Sequence, residues 1–504
     1  MDSFGAFGEL PFGALRDGDA GRSGVVPFLF SEDGYITEPD EDPPNLPFGA
    51  RVVQALSYSR SLAGNPGGFA GRVADGAGEA SLANADGMLD ALFANFSIAG
   101  RQVRVLSRRF DQAYADAEVI FDGTAASWDS PEGLLRLQLR NSLWRLAVPI
   151  QQGAAHFYDG TGGANGGADL AGLPRPLAFG RCREVPAVLV DAAALLYQVH
   201  DGAVDSIDAV YDGGDLLVLG VNYTVSLSTG CFTLLGAPVD RITCDLRGSA
   251  TGGHYVGSTA YIVKRIINDL VGLDAAAVDP QTFDRVEGAT TWSSGEVGMW
   301  LGPAPALAID VIERLLVGIG GFLDAEPEGR ITAGIFGAPW YGDSFALDET
   351  VIESITRVAM PAGTDPPLSR ALAAWQPLWT GPQVSGLADI VDASRRSYLA
   401  QAFRVAAAVG DQSGAEIMAQ QSLTASLFED AADALAFAEF RIGLYGVPRA
   451  CYQIRLSRGL WQFRLGQIGR LSYPGWNLGQ GRDAIVYAIA SSAAEGRVTL
   501  GLFV

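Results

Sequence analysis

The stretch GEASLANADGMLDALFANFSIAGRQVRVL, residues 78–106, decides how the chain is read. It runs as a strand, a tight turn, a short amphipathic piece, a second turn and another strand. Asn84-Ala85-Asp86-Gly87 and Ala99-Gly100 are the redirecting elements, because Asn, Asp and Gly tolerate the backbone angles that sharp turns demand. The unit carries no evident chemistry. Its neighbours extend the pattern: 51–59, 102–106, 117–121 and 134–139 alternate or concentrate apolar residues over strand lengths, and 25–30 is a short apolar run closed by Ser31-Glu32-Asp33-Gly34. Pro39, Pro43, Pro44 and Pro47, set among acids, predict an irregular loop over 39–47. Closely spaced strands with turns between them predict β-barrel or sandwich units.

Beyond this region, YDGTGGANGGADLAGLPRP (158–176) reads as a flexible connector and a boundary. A second strand group follows at 185–190, 209–211, 216–219 and 223–227. From 257 the period changes. Ser258 is placed to cap a helix carrying Tyr261, Ile262, Ile266 and Leu270. Ile309, Ile312, Leu316 and Ile319 define a second helix over 306–320, stopped by Gly320-Gly321, and 330–336 returns to strand. Two longer helices are expected at 387–409 and at 426–444. The latter opens on Ser426-Leu427-Phe428-Glu429 as a capping box that would satisfy the first free amides, Glu429 included. The chain ends in strands at 452–456, 468–472, 484–488 and 498–504. The expected architecture is α+β and multidomain: an N-terminal β domain (1–157), a second β domain (177–256), an α/β module (257–345), a mainly helical segment (346–445) and a C-terminal β segment (446–504).

Composition narrows the function. The 504 residues are 48% hydrophobic and only 18% charged, with a net charge of −22. Large cores and surfaces covered by other subunits both fit that balance. The cations are almost all Arg, with Lys264 the lone lysine. An acidic chain lacks the cationic surface that grips nucleic acid. Cys182, Cys231, Cys244 and Cys451 have no CxxC spacing and read as free, buried thiols. His156, His200 and His254 form no metal motif. Gly160-Thr161-Gly162-Gly163 lacks the lysine of a phosphate loop, and no GxSxG elbow occurs. Asp205 and Asp208 are a carboxylate pair of the kind an acidic chain produces by chance, and Asp40-Glu41-Asp42 is broken as an ion-binding loop by Pro43-Pro44. Trp292, Trp300, Trp340, Trp375, Trp379, Trp461 and Trp476 are read mainly as core, with some available for subunit contacts. No catalytic, cofactor-binding or metal residues are assigned. No secretory signal and no apolar run of membrane-spanning length are read, so assembly in the cytoplasm without stable membrane insertion is expected.

The residues also resemble a family. GExxLxNxDGxLD over 78–90, GRxV at 100–103, the segment 119–141, LxGxPRPxxxG at 170–180 and YQV at 197–199 resemble tail proteins of long-tailed bacteriophages, and 465–504 is similar to their closing β segment. The resemblance implies a hub-like component of a baseplate or tail tip. It implies copies of the chain in a ring, usually a homotrimer. The partners implied are the tail tube, distal tail and tail fibre or spike proteins, with DNA passing through without specific binding. Some tail-tip relatives hold an iron–sulfur cluster on clustered cysteines; the scattered cysteines here depart from that, and no cofactor is expected. The alternatives are a receptor- or glycan-binding tail protein and a tail-associated cell-wall hydrolase.

Overall fold

In the computed structural model the residues described are 4–12, 26–63, 68–75, 78–91, 97–109, 112–338, 344–360, 367–383, 385–410, 420–456, 463–493 and 495–504. The fold is α+β, built from several sheets with a few short helices. Trp340 and Trp461 lie outside the described residues, as does part of the amphipathic piece after Gly87.

The opening stretch folds as a pair of strands held by a side-chain staple. Asn84 Nδ2 donates to Asp90 Oδ1, and the Leu89 amide donates back to Asn84 Oδ1, both at 2.8 Å. Gly87 takes a φ of +66°, the left-handed region that glycine enters without strain. Arg51 forks onto Asp86 at 2.7 and 3.0 Å and holds that carboxyl down at about 2. The two strands, Gly78–Ala83 and Gln102–Arg109, do not pair with each other. The first lies between Val52–Ser61 and Leu134–Arg140; the second pairs with Glu118–Asp129 and Phe4–Phe12. The turn therefore steps the chain across the sheet.

That sheet joins the two ends of the chain. Among the described residues it has 16 strands. Its N-terminal half is the set just named with Val26–Ser31, Pro47–Ala50 and Tyr35–Ile36. Its C-terminal half holds Ile352–Val358, Cys451–Leu456, Arg497–Phe503 and Leu478–Ser492. The halves meet where Leu478–Ser492 pairs with Val52–Ser61, with Ala488 opposite Ser61 and Ser492 opposite Ser57. The N- and C-terminal β segments expected as separate units thus share one sheet. The path runs from one edge to another without closing into a barrel among the described residues.

The second β group comprises a five-stranded sheet around Leu177–Pro186, Val204–Asp212 and Ile242–Ser249, and a four-stranded sheet of Val188–Asp191, Leu196–Gln198, Cys231–Leu234 and Tyr223–Ser226. Gly180, which ends the LxGxPRPxxxG pattern, has a φ of +62°. A Cβ there would collide with the Val297 carbonyl, so the glycine allows the close strand crossing. The stretch 158–176 is not a loose connector. Tyr158 is buried, donates from its hydroxyl to Gln198 Oε1 (2.7 Å) and packs with Leu170 and Val190. Arg175 lies over the Tyr158 ring and donates to the Ala164 carbonyl. A tyrosine core and a network of backbone bonds order the glycines.

Helix α1 (Thr259–Arg265) runs on through a π turn at 266–270, followed by α2 (Pro280–Gly288), capped by Asp279, and α3 (Ala308–Val317). Ile309, Ile312, Leu316 and Ile319 are all buried, as the helical spacing predicts. Ser258 occupies the N-cap position of α1 without a side-chain cap bond, and Tyr261 faces outward while Ile262 and Ile266 are fully buried.

The segment 346–445 holds more strand than helix among the described residues and is not mainly helical. It contains Ile352–Val358, Leu368–Trp375, Arg404–Val409 and Gln420–Phe428, and two helices, α4 (Ala393–Leu399) and α5 (Ala431–Tyr445). The helix expected over 387–409 is only α4. Its C-terminal part pairs antiparallel with Leu368–Trp375, and pairing overrides the helix propensity of Ala. Ala371, Ala373 and Ala408 sit in one core with Ala434, Phe437 and Ala438 of α5; small side chains let the helix lie close to the sheet. Ser426 is a buried strand residue, and Asp430, not Ser426, caps α5 by accepting from the Ala432 amide at 2.7 Å.

Candidate functional site

The strand Leu177–Pro186 carries Arg183 and Glu184 side by side, and Ile242–Ser249 brings Asp245 opposite them. Glu184 is fully buried, with a φ of +50°. This left-handed kink interrupts the register between Cys182 and Val185. The Glu184 amide donates to Asp245 Oδ1 (2.9 Å), and Thr243 Oγ1 donates to Glu184 Oε2 (2.8 Å). Arg395, at the start of α4, donates to the other Glu184 oxygen and stacks over the Tyr211 ring at 4.1 Å. Arg183 bridges Asp245 Oδ2 (3.1 Å) and Glu429 Oε2 (2.9 Å).

Glu429 is therefore not a capping residue. It directly follows the strand Gln420–Phe428 and anchors it to the second β group through Arg183. Burial pushes its carboxyl up to about 7, although Arg183 pulls the other way. Burial also raises Glu184 despite Arg395. On Arg183, burial opposes the charge, but Glu429 and Asp245 outweigh it and the guanidinium is held raised. These charges join segments hundreds of residues apart. A second tie does the same: Arg60 meets Asp324 at 2.9 Å and the Ala325 carbonyl at 3.0 Å, both side chains buried. Buried pairs of this kind contribute little net stability, yet losing one partner strands a charge in low dielectric.

The residues singled out in the sequence fall elsewhere. Asp205 and Asp208 are separate, facing Arg247 (4.0 Å) and Arg181 (3.7 Å). Glu41 accepts from the Tyr35 hydroxyl and from the Glu38 and Tyr114 amides, so the acidic loop is tied into the fold by its own carboxylate. The four cysteines are free and buried. Trp292 is buried, and Trp476 is exposed. Among the described residues no group of three or more His, Cys, Asp or Glu could hold a metal, and no helix is long and apolar enough to cross a membrane. Arg183, Glu184, Asp245 and Arg395 were not singled out. The available signal is charge inside apolar strand runs, LAFGRCREVP and ITCDL, in a chain only 18% charged.

The histidines mark a cleft. It holds about 630 Å³ between turns of the second β group and the end of α1, and His156, His200, Asp201 and Arg265 line it. Asp201 Oδ2 lies 2.7 Å from His156 Nδ1. His200 is buried and accepts the Ala178 amide at Nδ1 (3.0 Å). Burial drops its pKa to about 4. His254 is exposed, and its carbonyl accepts from Arg265.

No family profile and no curated protein matches the chain. Among solved structures it is similar to the 43 kDa tail protein of prophage MuSo2 from Shewanella oneidensis, with a TM-score of 0.41 and 9% identity over 100% of this chain and 98% of that one. It is also similar to a tail protein from Neisseria meningitidis MC58, with a TM-score of 0.37 and 10% identity over 90% and 92%. A chain of the virion of a native gene transfer agent particle gives a TM-score of 0.39 and 14% identity over 66% and 84%. At these scores and identities the likeness assigns no role to this chain.

Proposed function

We propose that the chain is a structural component of a bacteriophage tail, placed at the baseplate or tail tip as a hub. Copies of it would close a ring, three being the expected number, and distal proteins would attach to that ring. The observation that carries this reading is the set of strands that are outermost among the described residues and bear exposed apolar side chains. Arg404–Val409 is an outer strand of its sheet, and Phe403, Val405 and Val409 are exposed along it. On the second β group, Leu216, Val218, Leu219 and Val221 are exposed between the edge strands Asp215–Leu216 and Tyr223–Ser226. Edges and patches of this kind are covered by neighbours in an assembly. The turn patterns shared with tail proteins support the same reading, and the buried ties support a rigid part.

The net charge of −22 supports a channel that DNA crosses without adhering. Assembly would take place in the host cytoplasm and the mature location would be the virion.

Sedimentation of the purified chain tests the assembly. A discrete oligomer is expected, and Val405→Lys with Val409→Lys should return it to a monomer that still unfolds cooperatively, at a temperature no longer dependent on protein concentration. A wild-type chain that stays monomeric at every concentration contradicts the ring. DNA retention that falls steeply with salt contradicts the passive channel.

A further inference from the structure

The cleft lined by the histidines has the chemistry of a ligand site. His200 is 2% exposed and lines it. Its Nδ1 is occupied as an acceptor by the Ala178 amide, so the neutral ring carries its proton on Nε2. That N–H has no partner among the described residues. The atom is not sealed in: it keeps a little solvent access, and His200 lines the cleft, so an acceptor on a ligand could take the place of water there. Asp201 Oδ2 and His156 Nδ1 lie 2.7 Å apart, and both residues line the cleft, adding polar groups that can meet a ligand. Ser228 and the mutually bonded hydroxyls of Ser249 and Thr251 (2.9 Å) add groups that can both donate and accept. Phe179, Leu227 and Leu270 supply apolar wall.

The charges decide the ligand class. Arg265 is turned onto the carbonyls of Ser249 (2.9 Å), Thr251 (3.4 Å) and His254 (2.7 Å), with Asp269 3.8 Å from its Nε. An engaged guanidinium set against Asp201 and Asp269 offers an anion little. The free His200 N–H offers a cation nothing. A neutral molecule with many hydroxyls on a carbon frame satisfies the donors, the acceptors and the apolar wall together. We propose that this cleft binds a neutral saccharide. The proposal does not rest on the tail reading, and either can fail alone.

The test is a titration of the full chain, followed by its histidine ring signals in NMR. The probes are glucose, galactose, N-acetylglucosamine and maltose, with inorganic phosphate and ethanolamine as charged comparisons. At least one sugar should shift the His200 signals saturably at millimolar concentration or below, and neither charged probe should. Ala250→Trp, which fills the cleft from its rim, should weaken that binding by about tenfold or more with the unfolding temperature unchanged. Thr251→Val, at an exposed position, should weaken it in the same direction if the tryptophan variant does not fold. The site is overturned if no sugar in the panel moves the His200 signals, if phosphate or ethanolamine moves them instead, or if the folded variant tested binds as tightly as wild type.

Discussion

Glu184 shows how much of this fold depends on single side chains that hydropathy does not reveal. It is fully buried, its backbone is in the left-handed region, and its charge is met by Arg395 and Thr243. Removing one partner of such a pair leaves a charge in a low dielectric. Arg395→Ala is expected to cost about 3–5 kcal/mol at neutral pH, read by denaturant unfolding. The loss should shrink in acid, where Glu184 can take up a proton. An unchanged midpoint would contradict this cost. His200 makes a prediction about pH. The unfolded ring protonates near 6.5, whereas the buried ring resists protonation until about 4. A base with a depressed folded pKa lends stability that is complete above the unfolded value and is lost as pH falls toward the folded one. Wild type should therefore lose roughly 3 kcal/mol more than His200→Gln between pH 6.5 and pH 4. Parallel acid limbs for the two proteins would refute this.

The helices and strands separate what local pattern can specify from what it cannot. Helix α3 was legible because Ile309, Ile312 and Leu316 repeat at helical spacing and all three are buried. The strands around 102–109, 134–140 and 451–456 were legible from alternation. The alanines of 404–409 were misleading, because their small size serves sheet-to-helix contact with α5 rather than helix formation. Ser426-Leu427-Phe428-Glu429 misled for a related reason: the strand consumes Ser426, and the distant Arg183 claims Glu429. A sequence window contains neither partner. Asp430 is the functional cap, so Asp430→Ala should lower stability by about 1 kcal/mol, measured by thermal or urea unfolding. A comparable loss in helix content from a variant at Ser426, with Asp430→Ala neutral, would favour the capping box instead.

At the scale of the molecule, the two ends of the chain build one sheet, and separate stretches of sequence could not disclose that. Arg497–Phe503 lies inside the sheet, paired on both sides by Cys451–Leu456 and Leu478–Ser492. Removing residues 497–504 should abolish cooperative unfolding rather than trim a tail; a truncated chain with a sharp transition would show that the halves fold independently. The tie Arg60–Asp324 fixes the strand Gly321–Ala325 beside the helices to that frame, and Arg183–Glu429 joins the second β group to the sheet of Leu368–Trp375, Arg404–Val409 and Gln420–Phe428. The cleft was illegible for the same reason as the sheet: His156, His200 and Arg265 are separated in sequence and meet only in the fold. The central claim is that this frame is a piece of a phage tail. Imaging intact particles that carry the gene, with this chain identified in the density, tests it most directly. The account predicts a ring of copies at the distal end of the tail tube, with 404–409 or 216–221 covered by a neighbour. Particles whose tails lack the chain, with the protein recovered only free in solution, would contradict it.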